Sequence, residues 1–523
     1  MYANGGTVSV TSRPNILFLF TDQQRWDTIA AAGNPLVRTP ALDSLCAHGI
    51  RFDRAYTPVP VCVPARCSTM TGRLAHRTGC FENGSPMPAN VPTMMQVLRD
   101  AGYQTHGAGK MHFVPANRDY GFTSADLCDG RDNAYLRFIR AQGFAEVYNP
   151  GGMLGDMYYI PQVSPMPPAL HNSTWVAERS IDFLSQRDRS RPFFLWTSFV
   201  KPHPPFTPPY PWNTLYRSTD LPLPKRPAQS LALQTWLMRH QNRYKWRESG
   251  PDDNLLRTMK AYYYAEISFI DYQIGRILET LEQTGNRENT LIVFSSDHGE
   301  LLGDYHSFGK RTFLDSAARV PLLAVWPDQL PEGKVCTTPA SLIDIMPTFL
   351  EAAGIDATPY DLDGQSLRVI GEAPAVDRLV LGQILDQANA SYMATNTRWK
   401  YIYSALDERE YLFDLAADPD ETEDVATHTV FGPGIVGRRL LPPNAATRDA
   451  ERAAARDRLR NALIERFRKD GYLTPLDGEH WRRYGRGADP ADPDTDRLVA
   501  PPAWGDPYVR LPGYVQPWMP PRP

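Results

Sequence analysis

No stretch of this 523-residue chain approaches the ~18 consecutive apolar residues that a membrane-spanning helix needs. The apolar run nearest the N-terminus, Ile16 to Phe20, is too short for a secretory signal core. The sequence is therefore expected to be soluble and cytoplasmic, with no membrane partner. Charge of one sign is missing too. The 55 Lys and Arg residues against 59 Asp and Glu leave a net charge of −4, and their interspersion argues against a nucleic-acid-binding face. Cysteine is scarce: Cys46, Cys62, Cys67, Cys80, Cys128 and Cys336 lack disulfide-framework spacing. Apart from Cys62 most of them read as small buried hydrophobes. No internal repeat is present.

What the chain does have is a hydrophobic content of 42%, enough for one large core and a smaller second one. Strand-length apolar runs alternate with helix-period segments, which predicts an α/β fold with a mostly parallel sheet. Asn15–Phe20 and Thr290–Phe294 read as strands that break at once into polar residues, Thr21-Asp22-Gln23 and Ser295-Ser296-Asp297-His298. Ligands in such sheets bind beyond the carboxyl ends of the strands, so Asp22 and Asp297 are expected to converge; the alternative is that each only caps a turn. Pro40 opens a helix that Gly49 stops, a second helix runs from Pro92 to Gly102, and Ile267, Ile270, Ile274, Ile277 and Leu281 mark a long one. Residues 204–254 read as a loop-rich insertion, and Trp26, Trp236 and Trp246 as leaving-group contacts or local core. Strands near 398–403 and 411–415 and a helix over 445–468 predict a smaller α+β unit. The Pro- and aromatic-rich tail over 500–523 is expected to pack on its own domain or on a neighbouring subunit of a homo-oligomer.

Chemistry enters at Cys62-Val63-Pro64-Ala65-Arg66, followed by Thr71-Gly72-Arg73. This block resembles the sulfatase signature, Cys-x-Pro-x-Arg with a Thr-Gly-Arg element, of the alkaline phosphatase superfamily. Three more blocks resemble that family in order: Gly102-Tyr103-Gln104-Thr105 with Gly109-Lys110-Met111-His112; Lys201-Pro202-His203; and Asp297-His298-Gly299-Glu300 with Gly309-Lys310. The resemblance implies an alkaline-phosphatase-like fold: a large mixed, mostly parallel sheet flanked by helices over 1–370 and a smaller C-terminal α+β subdomain over 371–470, with the tail over 471–523 lying outside it. It also implies that a formylglycine-generating enzyme oxidises Cys62 to formylglycine. The hydrated aldehyde attacks with one oxygen and uses the other to expel the anion, which a thiolate cannot do.

By the same resemblance Asp22, Gln23, Asp297, His298 and modified Cys62 hold one divalent ion. Lys110, Lys310 and His203 bind the ester and offset its developing charge, Arg66 holds the diol and its loop, and His112 accepts the diol proton. Oxygen ligands suit Ca2+, Mg2+ or Mn2+. The family commonly has Asp-Asp and Asp-Asn where this chain has Asp-Gln and Asp-His, and the imidazole moves the balance toward Mn2+. The same replacements occur in phosphonate monoester hydrolases and choline-sulfatase-like enzymes, and Asn83 lies where the former carry an active-site Asn; a plain turn role is the other reading. The expected activity is hydrolysis of small organic sulfate esters, with phosphonate monoester or phosphodiester hydrolysis as the alternative. Lys110 with His112 favours sulfate, because the phosphonate enzymes lack the Gly-Lys-x-His block. A chain whose Cys62 stays a thiol would instead be a binding or scaffold protein on this fold.

Overall fold

The computed structural model describes residues 13–130, 133–147, 149–154, 158–245, 251–373, 377–426 and 445–485. Its core is an eight-stranded mixed sheet in the order Ser124–Leu127, Gln104–Gly109, Phe193–Pro202, Asn15–Asp22, Thr290–Ser296, Leu322–Val325, Ile50–Phe52, Lys334–Cys336. The first five strands are mutually parallel, and only Leu322–Val325 runs against its neighbours.

The central strand shows why. Every residue of Asn15–Asp22 is buried, as expected of a parallel strand covered on both faces. Ile16, Phe18 and Phe20 enter one core with Trp196, Phe349 and Leu350, while Leu17 and Leu19 enter the other with Trp175, Ile270 and Ile274. Burying each such side chain is worth about 1.5–3 kcal/mol, so the alternation fixes the strand between two helical layers. The helix Asp253–Gln283 provides much of the second layer. Asp252 caps it, accepting from the amides of Asn254 and Leu255.

The strand expected to end at Phe20 continues to Asp22, because Thr21 pairs with Ser296 and Asp22 with Pro202 past an irregularity. Asp22 thus belongs to the strand itself. The 204–254 insertion holds more helix than its composition suggests, Ser230–Leu233 and Trp236–Lys245. Trp236 and Leu237 pull the second helix against Val59 and Val61. Trp236 is thus local core, while half-buried Trp26 lies under the guanidinium of Arg319 at 3.6 Å; Trp246 lies outside the described residues.

The smaller C-terminal unit is an antiparallel sheet, Val380–Ile384, Ser391–Thr395, Trp399–Ser404 and Arg409–Asp414, with the helix Ala445–Lys469. Tyr392 and Tyr401 of the sheet pack with Leu459, Leu463 and Phe467 of that helix. Buried Lys400 ties the sheet to the main domain through Asp315 and Glu421. Among the described residues no helix is long and apolar enough to cross a membrane. The 500–523 tail, and the subunit contact expected of it, lie outside the described residues.

Candidate active site

Four neighbouring parallel strands deliver the chemistry from their carboxyl ends. Gln104–Gly109 leads to Lys110, Phe193–Pro202 to His203, Asn15–Asp22 to Asp22 and Gln23, and Thr290–Ser296 to Asp297 and His298. Gly109 makes the first exit feasible. Its φ is +100°, and a Cβ there would stand 2.0 Å from the carbonyl oxygen of Ser198, which accepts the Lys110 amide at 2.8 Å.

Cys62 is the first residue of a fully buried helix, Cys62–Thr71, ended by Gly72 in the left-handed region. The residue before it, Val61, offers no side-chain cap. Asn83 supplies one from outside: its Oδ1 accepts the Val63 amide at 3.0 Å. The structure therefore places Asn83 one residue from Cys62, as a support for its helix. Burial opposes ionisation of the Cys62 thiol, but Lys310, Lys110 and His298 outweigh it and hold the thiol well below its usual range.

Lys310 reaches Cys62 Sγ at 3.0 Å and Gln23 Oε1 at 2.7 Å. Lys110 stands 2.7 Å from Asp22 Oδ2. Arg66, expected to hold the diol and its loop, spans the two carboxylates. Its Nε donates to Asp297 Oδ2, NH1 to the Lys110 carbonyl and Ser198 Oγ, and NH2 contacts Asp22 Oδ2 and Asp297 Oδ2, all at 2.7–3.1 Å. Four of these contacts are hydrogen bonds and the NH2–Asp297 contact is an ion pair, so all three nitrogens of the guanidinium are engaged. Arg66 thus holds the two carboxylates together.

His203 and His112 both stand beside Cys62. His203 Nδ1 lies 2.7 Å from the Pro204 carbonyl, which makes it the donor, and Nε2 is 3.4 Å from the Tyr158 hydroxyl. Burial and Lys310 push His203 down to about 4, against the pull of Asp22. His112 sits at φ +56° beside the Cys62 sulfur, with no partner at Nδ1.

Sequence reasoning missed the residues that hold these groups. Asp129 Oδ2 accepts the amides of Met111 at 2.6 Å and His112 at 2.9 Å, fixing the turn that carries His112. Glu266 pairs with buried Lys201 at 3.1 Å and accepts the Thr207 amide at 2.6 Å, bracing the His203 loop. Glu300 lay inside a quoted motif without a role. Asp129 and Glu266 had no local signal, because their partners are remote in sequence.

The donor set fits a divalent cation. Ligand atoms of Asp22, Cys62, Asp297 and His298 lie within 4.8 Å of one another, all buried. Cys62 Sγ is 3.2 Å from His298 Nε2 and 3.8 Å from Asp22 Oδ1. His298 Nδ1 is engaged by the Gly299 carbonyl at 2.9 Å, which leaves Nε2 to face the cluster. Burial and neighbouring Asp22 push Asp297 up to about 6, a like-charge conflict that a cation between them relieves. Gln23, at φ +69°, donates its amide to Asp297 Oδ1 and turns Oε1 toward the same region.

Comparison with known proteins agrees with this arrangement. The sulfatase family model matches residues 14–355, and the N-sulphoglucosamine sulphohydrolase C-terminal model matches 303–432. An arylsulfatase of Clostridium perfringens is 32% identical over 446 residues, 78% of this chain and 89% of that protein. A choline-sulfatase of Rhizobium meliloti is 30% identical, covering 80% and 83%. The phosphonate monoester hydrolase of Agrobacterium radiobacter superposes with a TM-score of 0.73 at 25% identity, over 90% of this chain and 100% of that one. With the Cys62 helix, the paired carboxylates and the lysines inside the matched region, the chain belongs to the sulfatase family of sulfate-ester hydrolases.

Proposed function

We propose that the chain hydrolyses aryl or alkyl sulfate esters of small organic molecules through a formylglycine made from Cys62 and one divalent ion held by Asp22, Gln23, Asp297 and His298. The observation that carries this reading is the buried cluster itself: Cys62, the ligand set and Lys310 meet at one point. The bound ion would supply charge neutralisation, and the hydrated aldehyde a releasable nucleophile. Oxidation of Cys62 requires a formylglycine-generating enzyme as maturation partner, and the six free thiols fit a reducing, cytoplasmic setting.

The chain's own residues do the rest. Lys310 and Lys110 face the position of a sulfuryl group and hold its oxygens as negative charge builds, each worth about 2.7–4 kcal/mol if it acts as an oxyanion-hole donor does. His203 presents Nε2 beside Tyr158 for the departing alkoxide. An anionic ester among the lysines moves His203 back toward its protonated form. His112, with Nδ1 unpartnered, takes a proton from the nucleophile side. Arg66 keeps Asp22 and Asp297 in register.

Phosphonate monoester or phosphodiester hydrolysis is the second reading, supported by the structural likeness at TM-score 0.73. Paired assays on an aryl sulfate and its phenyl phosphonate counterpart test the choice, after co-expression with a formylglycine-generating enzyme and mass analysis of the Cys62 peptide. Faster sulfate turnover with modified Cys62 is expected. Equal or faster phosphonate turnover overturns the sulfate reading, and activity from a purely thiol protein overturns the nucleophile.

A further inference from the structure

Glu300 is fully buried, and four donors from three segments of the chain converge on its carboxylate. Oε2 accepts the side-chain amide N–H of Gln23 and, at 3.0 Å, the hydroxyl of Tyr159. Oε1 accepts the backbone amides of Leu302, at 2.9 Å, and of Gly309. An ionised carboxylate has about four acceptor positions, so these contacts use its capacity fully.

The consequence falls on Gln23. A primary amide is nearly symmetric in shape, and only its hydrogen bonds decide which end faces which way. With Glu300 accepting from Nε2, the amide cannot turn over without setting its oxygen against a carboxylate. Oε1 is thereby aimed at Lys310 Nζ, 2.7 Å away, beside the Cys62, Asp22, Asp297 and His298 cluster. The Gly309 contact seats the residue before Lys310 on the same carboxylate. One group thus sets both the amide and the loop of the lysine it touches.

We infer that Glu300 is the positioning residue that makes Gln23 an oxygen donor to the cation site: it fixes the amide so that C=O, not NH2, faces the ion and Lys310. This rests on the metal centre of the preceding section and adds the group on which its Asp-Gln element depends. Replacing Glu300 by Gln puts an NH2 where one pair of donors needs an acceptor. When that NH2 faces Gln23, the Gln23 amide flips and presents N–H to the ion.

The test is Mn2+ affinity of the full-length protein, read by electron paramagnetic resonance or calorimetry, for wild type, E300Q, Q23A and the double variant. E300Q is expected to weaken Mn2+ binding by about 10-fold or more, the range for groups that orient metal ligands. In the Q23A background the same substitution should cost nothing further, because Glu300 acts through Gln23; a general structural defect would still add. If E300Q does not fold, E300D retracts the carboxylate while keeping its charge, and should show a smaller loss that again vanishes in Q23A. Wild-type affinity in folded E300Q or E300D, or an undiminished loss in the Q23A background, overturns the inference alone. A wild-type chain that takes up no Mn2+ overturns the metal centre, and the inference with it.

Discussion

The Nζ of Lys310 lies 3.0 Å from the Sγ of Cys62. That single contact joins a loop late in the main domain to the first turn of the helix that begins at Cys62. In the proposed mechanism it also sets a positive charge beside the attacking atom and the sulfuryl group.

Replacing Lys310 by Met should therefore lower kcat/KM on an aryl sulfate by about 100- to 1,000-fold, the cost of one oxyanion donor. The fall should appear in kcat more than in KM, because the charge it offsets grows toward the transition state. Steady-state kinetics on metal-saturated protein measure it.

Arg66→Ala leaves Asp22 and Asp297 buried without their shared cation. Breaking such a buried pair costs about 3–5 kcal/mol. Denaturant unfolding with chelator present should show that loss. Saturating Mn2+ should recover part of it, since the ion neutralises the same carboxylates.

Chelation of the native protein should lower its melting temperature. A ligand at 1,000 times its Kd stabilises by about 4.1 kcal/mol, so calorimetry with EDTA should show a clear downward shift that added divalent metal reverses. The ranking of Mn2+, Ca2+ and Mg2+ in that recovery reports the preference set by His298.

Acid should weaken one helix start in particular. His171 Nδ1 accepts the Ser173 amide at 3.1 Å, capping the helix Asn172–Gln186. Burial and nearby Lys201 push His171 down to about 3. The folded state therefore holds His171 neutral while the unfolded chain protonates near pH 6.5. This contribution is fully present above pH 6.5 and drains away as pH falls toward 3, by about 1.4 kcal/mol per pH unit. His171→Asn keeps the cap without the titration, so its stability should fall less than wild type between pH 7.5 and 5 in urea titrations.

Asn83→Ala separates two roles. Loss of a cap should cost about 1 kcal/mol of stability, with kcat changed little. A large kcat loss at unchanged stability would instead make Asn83 a group that touches the ester.

Much of the site could be read from the chain because its members stand at strand ends or in short ordered blocks. Asp22 and Asp297 each follow an apolar run, and Cys62, Lys110, His203 and Lys310 sit in dense motifs. The supports could not be read that way. Asp129 acts on Met111 and His112 across an edge-strand loop, and Glu266 reaches Lys201 and Thr207 from a helix whose visible pattern is its apolar stripe. Arg66 was legible as a residue but not as a contact: its partners were settled when two strands far apart in the sequence became neighbours in the sheet. The insertion looked like loop because Pro and Arg dominate it, yet two apolar residues, Trp236 and Leu237, sufficed to anchor a helix.

The order of the strands sets the reach each group needs. Neighbouring strands stand about 4.8 Å apart, and the strand bearing Lys110 is two places from the one bearing Asp22. Only a long, straight stem crosses that gap, and Lys110 does so to end 2.7 Å from Asp22. A short acid on the central strand and a long base two strands away are a ruler written into the sheet. A cation with a truncated arm at position 110 would stop short of the centre, whatever its charge.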